Sequence, residues 1–146
     1  MPALALLVAS AALAVGALTG CAAPSAPAGA AAVAAAPQRA NPASQNCTAR
    51  GGTLSIERTG AGGEYGVCVF DDNRQCEEWA LLRGECPVGG VGVAGYATPP
   101  GRYCAITGGR YAVTASTNTP DEQGSCTFKD GKSCNARAYY DGRCGR

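Results

Sequence analysis

The chain contains no histidine. That absence removes the base on which the familiar serine and cysteine triads depend. It also removes the usual companion of cysteine in zinc sites, and no C-x(2–4)-C knuckle takes its place. No strong charge is present either. The formal net charge of +1 gives no field that would draw the protein to nucleic acid or to an anionic surface. Beyond Cys21 there is no cationic amphipathic helix, and no run of alternating residues long enough to span a bilayer as a strand.

What the chain has in quantity is cysteine, nine in 146 residues. Small modules that cannot bury a large core are held by disulfides, which requires an oxidising compartment. Nine is odd, and the N-terminal region accounts for the odd one. Residues 3–20 are apolar and uncharged, too short for a comfortable membrane span, and end in small residues, as a signal peptide does. Leu18-Thr19-Gly20-Cys21 resembles the bacterial lipobox, whose cysteine becomes the lipidated first residue after cleavage. No Lys or Arg precedes the run, so the start amine alone supplies positive charge unless translation begins upstream of Met1. With Cys21 lipidated, eight cysteines remain and can pair fully.

We therefore read residues 1–20 as a lipoprotein signal peptide. Residues 21–40 are read as the lipidated Cys21 followed by a disordered Ala/Pro linker. Those small side chains cannot offset the entropy of ordering them, and a coil of that length spans roughly 25 Å. The expected partner is the membrane, through the lipid on Cys21. The expected location is the bacterial cell envelope, with the outer membrane favoured in a two-membrane bacterium because Ala22 is not Asp.

The rest of the chain is a repeat. Cys68, Cys76 and Cys86 recur as Cys126, Cys134 and Cys144 with the same spacing. The copies align at an offset of 58 from Cys68 onward and 57 before it, which implies one extra residue in the first turn. The first repeat module is 41–87, a linker runs over 88–97, and the second module is 98–146. In copy one, Asn41-Pro42 is an N-cap with proline at the first helical position. Leu54 and Ile56 alternate as on a strand, Asp71-Asp72-Asn73 is a turn, and Cys76 to Arg83 fits a short helix closed by Gly84. The expected fold class is α+β: two small disulfide-rich modules, each helix–β-hairpin–helix. The core of copy one would draw on Leu54, Ile56, Val67, Phe70, Trp79, Leu81 and Leu82.

Acid–base chemistry could use Asp71, Asp72, Glu77 and Glu78. Copy two, however, has Asn135 and Ala136 in place of the two glutamates, so the pair is not a property of the scaffold. The residues read better as a polar turn and a favourable helix start. Neither an enzyme, nor a cofactor, nor a metal is expected. If recognition is specific to one copy, Glu77, Glu78, Trp79 and Arg137 are the positions to consider. Charge also separates the copies. Cys47–Cys86 holds four basic and seven acidic residues, net −3, whereas Cys104–Cys144 holds five and four, net +1. The modules should either differ in partner or dock on each other.

Asn41-Pro42-Ala43-Ser44, Cys47, Gly51-Gly52-Thr53, Gly66-Val67-Cys68 and Cys76-Glu77-Glu78-Trp79-Ala80 together resemble a bacterial family, domain of unknown function 333. Its members are short secreted proteins or lipoproteins that often carry the label hemolysin. The resemblance covers all of copy one and, more loosely, copy two, and it brings no catalytic residues. It implies a disulfide between Cys47 and Cys68 and, by default, one between Cys76 and Cys86. The same scheme in copy two joins Cys104 to Cys126 and Cys134 to Cys144. Read from the residues alone, each module allows three pairings. A helix over 77–83 would be about 10 Å long, so Cys86 reaches Cys76 only if the chain doubles back after Gly84. The expected role is a non-enzymatic envelope binding or structural protein with a possible protein partner there. The alternatives are an inhibitor of a host or envelope hydrolase, presenting the loops 59–64 or 117–123, and the hemolysin of the family label.

Overall fold

The computed structural model describes residues 41–145. The signal peptide expected over 1–20, the lipidation of Cys21 and the linker expected over 21–40 lie outside the described residues.

Copy one opens with helix α1 (Pro42–Ala49), capped as its sequence anticipates: the Asn41 side chain accepts the Ala43 N–H at 3.0 Å. Strands β1 (Thr53–Arg58) and β2 (Glu64–Val69) form an antiparallel hairpin in which Leu54 faces Cys68. Next comes the Asp71–Asn73 turn, where Asp72 and Asn73 take positive φ of 57° and 56°, a conformation those two residue types tolerate. The chain then returns as a third strand, β3 (Arg74–Glu77), with Cys76 opposite Cys68. Helix α2 (Glu78–Leu82) follows. The helix expected from Cys76 to Arg83 is thus shorter, because Arg74–Glu77 is committed to pairing with β2. The hairpin of the expected motif is a three-stranded meander.

Residues of the stretch read as a linker extend this sheet. Strand β4 (Val91–Gly92) pairs with β3, giving the order β1-β2-β3-β4. Copy two repeats the plan with α3 (Pro99–Ile106), β5 (Arg110–Ala115), β6 (Gln123–Thr127), β7 (Ser133–Asn135) and α4 (Ala136–Tyr140), its sheet ordered β5-β6-β7. The extra residue expected in the first turn shows in the register, which shifts between Val113 and Ala115, so Thr114 is taken up as a bulge in β5. The strands are joined by 116–122 in copy two and by 59–63 in copy one.

The four disulfides are Cys47–Cys68, Cys76–Cys86, Cys104–Cys126 and Cys134–Cys144, with Cα separations of 5.6, 5.8, 5.6 and 6.3 Å. Cys86 reaches Cys76 because Gly84, at φ 71°, reverses the chain and the Glu85 and Cys86 N–H groups both return to the Ala80 carbonyl. Gly51-Gly52 divides its work. Gly51 takes the positive φ of 82° after α1, while a Cβ on Gly52 would strike the Cys68 and Cys47 sulfurs.

Sulfur makes up much of each core. Cys47, Cys68, Cys76 and Cys86 cluster with Ala80 and Leu81, and Leu54, Phe70 and Val91 pack around them. Ile56 is 59% exposed and lies outside this cluster. Trp79 and Leu82 are also outside it, on the face of α2 opposite Ala80 and Leu81.

The copies pack on each other within one compact unit. Arg102 of α3 pairs with Glu57 of β1, and it also donates to Gln75 at 2.8 Å. Tyr65 donates to the same Glu57 carboxylate at 2.9 Å. The Tyr103 ring lies 5.0 Å from Tyr65, 5.1 Å from Tyr139 and 5.5 Å from Tyr140, centre to centre. Tyr140 donates to the Arg58 carbonyl at 2.7 Å. The acidic copy thus docks on the other through an ion pair wrapped in tyrosine. Burial, together with the bond to Glu57, pushes the Tyr65 phenol well above its ordinary 10.0.

Non-reducing peptide mapping should return these four links, and a Cys47–Cys76 or Cys47–Cys86 peptide would contradict the fold. The tyrosine site makes a second prediction. Unfolded tyrosine ionises near pH 10 while folded Tyr65 stays neutral, so the unfolded chain binds fewer protons above that pH. The stability contributed here is complete below about pH 10 and falls as pH rises further. Urea midpoints should drop between about pH 9.5 and 11.5, and less steeply in Tyr65→Phe, which also loses about 1 kcal/mol at neutral pH.

Candidate recognition surface

The four positions singled out as copy-specific separate into two classes. Glu77 is 6% exposed and caps α2, its carboxylate accepting the N–H groups of Trp79 and Ala80 at 3.0 and 2.8 Å. Glu78 is 5% exposed. Its two oxygens accept from Asn41 Nδ2 at 2.8 Å and Ser44 Oγ at 2.6 Å, and its carboxyl group covers Gly66 so closely that a Cβ there would collide with it. Neither glutamate can therefore touch a partner directly, as a recognition role would require. Glu77 is consumed in capping α2, and Glu78 in joining α2 to α1 and β2. Trp79 and Arg137 remain at the surface.

The corresponding space in copy two is built differently. Ala136 replaces Glu78, Gly101 replaces Ser44 and Thr98 replaces Asn41. Tyr111, in the place of Leu54, turns its ring into the vacated volume. A Cβ on Gly124 or Gly101 would meet that ring. Tyr111 donates to Glu122 at 3.0 Å, and Glu122 in turn accepts the Asn118 N–H at 2.8 Å. Burial and the Glu122 bond raise the Tyr111 phenol above its ordinary value. Asn135 caps α4 through the Ala138 N–H at 3.0 Å, doing what Glu77 does in copy one with no charge.

Beside Ala136 lies a cleft of about 460 Å³ lined by Pro100, Tyr111, the 120–124 segment and Asn135–Arg137. Arg137, Asp121 and Glu122 all line it, and Arg137 is exposed. The cleft is a mixed-charge groove with one aromatic wall. Of the two loops considered, 59–64 is pinned: Gly60 sits against Tyr140 and Asp141 of copy two. The 117–123 loop is open and borders the cleft. The cysteines carry no thiolate chemistry here, since all eight among the described residues are paired.

Sequence reasoning passes over Asn41 and Ser44 as partners of Glu78, and Arg102 and Tyr103 altogether, and it places Tyr111 only on a strand, where it lies. A signal for the first group was present. Ser44 with Glu78 becomes Gly101 with Ala136, and Leu54 becomes Tyr111, a coordinated exchange between aligned copies.

The family described as Domain of unknown function (DUF333) matches residues 38–85 and again 95–143. The chain belongs to this family. No curated protein and no solved structure matches it. Each matched segment covers the helix, meander and short helix of one copy and stops one residue before that copy's last cysteine, Cys86 or Cys144.

Glu78→Ala in the first DUF333 copy should destabilise the protein by about 2–3 kcal/mol, because two partly buried donors lose their acceptor. Trp79→Ala, at an exposed position, should cost no more than about 1 kcal/mol. Equal losses by chemical denaturation would refute the structural role given to Glu78.

Proposed function

We propose that this DUF333 protein is a lipid-anchored component of the bacterial envelope with a non-enzymatic binding role, and that the Arg137 cleft of copy two is its binding surface. The observation that carries the anchor is the cysteine count. Eight of the nine cysteines pair among the described residues, and the ninth, Cys21, stands in Leu18-Thr19-Gly20-Cys21. No helix among the described residues is long and apolar enough to cross a membrane. Ala22 directs the protein to the outer membrane if the cell has two.

The binding reading is supported by the divergence of the copies. The scaffold is common to both, and copy two alone replaces the buried Glu78 with alanine beside an exposed arginine. The 117–123 loop, fastened through Glu122 to Tyr111, adds a rigid projection next to that cleft. This favours, as a second reading, an inhibitor of a hydrolase with the loop as the inserted element.

The anchor is tested by mass spectrometry and detergent-phase partition. The natural protein should carry acyl mass on Cys21, and Cys21→Ser should remain uncleaved and unlipidated. Affinity capture from envelope extract with the detergent-solubilised full chain tests the cleft. Arg137→Glu should lose whatever the natural chain retains. Recovery of one hydrolase that loses activity on binding selects the inhibitor reading, and identical recovery with both chains rules the cleft out.

A further inference from the structure

The two DUF333 copies meet through unlike faces. Copy two presents α3 and α4, with Arg102, Tyr103 and Tyr140, to the hairpin of copy one. Among the described residues, no module precedes the corresponding α1–α2 face of copy one. There Leu82 stands at the position of Tyr140 and Trp79 at that of Arg137. Tyr140 is covered by its neighbour, whereas Trp79 and Leu82 are each 40% exposed. Three residues apart on one helix, they share a face.

What precedes this face in the chain is the proposed tether. Asn41, the first described residue, donates to Glu78 at 2.8 Å, and Glu78 directly precedes Trp79. The chain therefore enters the fold beside the exposed pair. Only residues 22–40 separate Cys21 from Asn41, so a lipid on Cys21 tethers the fold at this end. Tryptophan and leucine are suited to the headgroup boundary, where an amphipathic ring and an aliphatic chain leave water together. Local charge does not oppose the contact. Glu77 and Glu78 are buried and bonded, and Arg83 is paired with Glu85 at 2.9 Å.

We infer that the Trp79–Leu82 face of α2 is a membrane-contact surface that seats the anchored protein against lipid. This rests on the lipid anchor proposed above. Trp79 is the sole tryptophan, so its emission reports this one side chain. The full chain, purified in detergent, is reconstituted into phosphatidylcholine vesicles with and without bromine on the acyl chains. Trp79 should lose most of its emission in the brominated vesicles. The exchange variant W79R/R137W moves the only tryptophan to the equivalent place in copy two, and it should float with the vesicles yet keep its emission. Floating protein whose Trp79 is unquenched overturns the inference, and leaves the anchor intact. Equal quenching in the exchange variant overturns it as well, since mere proximity then explains the signal. A chain that fails to float with vesicles removes the anchor itself and this inference with it. Light scattering that shows Trp79 shielded in a dimer assigns the face to a second copy instead.

Discussion

In each copy the cystines form the heart of the core, with all four half-cystines buried in copy one and Cys144 alone partly exposed in copy two. One cystine joins the first helix to the hairpin. The other joins the third strand to the segment just past the second helix. With few large apolar residues in each copy, hydrophobic burial alone would be marginal. The glycines follow from this constraint. Gly52 and Gly109 admit the sulfurs where any side chain would collide with them, and Gly84 turns the chain back so that Cys86 can reach Cys76.

Upon this common frame the copies have diverged where they face each other and where they face solvent. Arg102 with Glu57, wrapped by Tyr65, Tyr103 and Tyr140, joins them asymmetrically: a helix face on one side, a hairpin on the other. Such a contact does not close on itself. It leaves the helix face of copy one and the hairpin face of copy two available. The residues there have changed to suit. Leu82 stands for Tyr140 and Gln45 for Arg102, so the ion pair that cements the inner contact is not offered at the outer face.

The buried glutamate shows how one space is filled in two ways. Copy one places a carboxylate over Gly66 and satisfies it with Asn41 and Ser44. Copy two removes the carboxylate, reduces Ser44 to Gly101 and fills the volume with Tyr111, leaving Arg137 beside an open groove. A buried charge persists only with its donors. When the acid goes, its partners are free to go with it, and the site becomes available for other work.

The repeat, the cysteine spacing, the capped first helix and the hairpin were legible in the residues, because they rest on local rules: cap preference, alternation, turn chemistry and identical intervals. The third strand was not, since Arg74–Glu77 carries no strong local preference and becomes a strand only through pairing with β2. For the same reason β4 looked like linker. Burial was the least legible property. Glu77 and Glu78 looked like surface and Trp79 like core, and tertiary structure reversed both. By itself the sequence determined the family, the α+β class and the two-copy plan. Only the tertiary structure decided which face of the five-residue α2 points inward, since so short a helix has almost no periodicity to declare it. It also decided that the copies dock, through a cluster of arginine, glutamate and tyrosine drawn from distant parts of the chain.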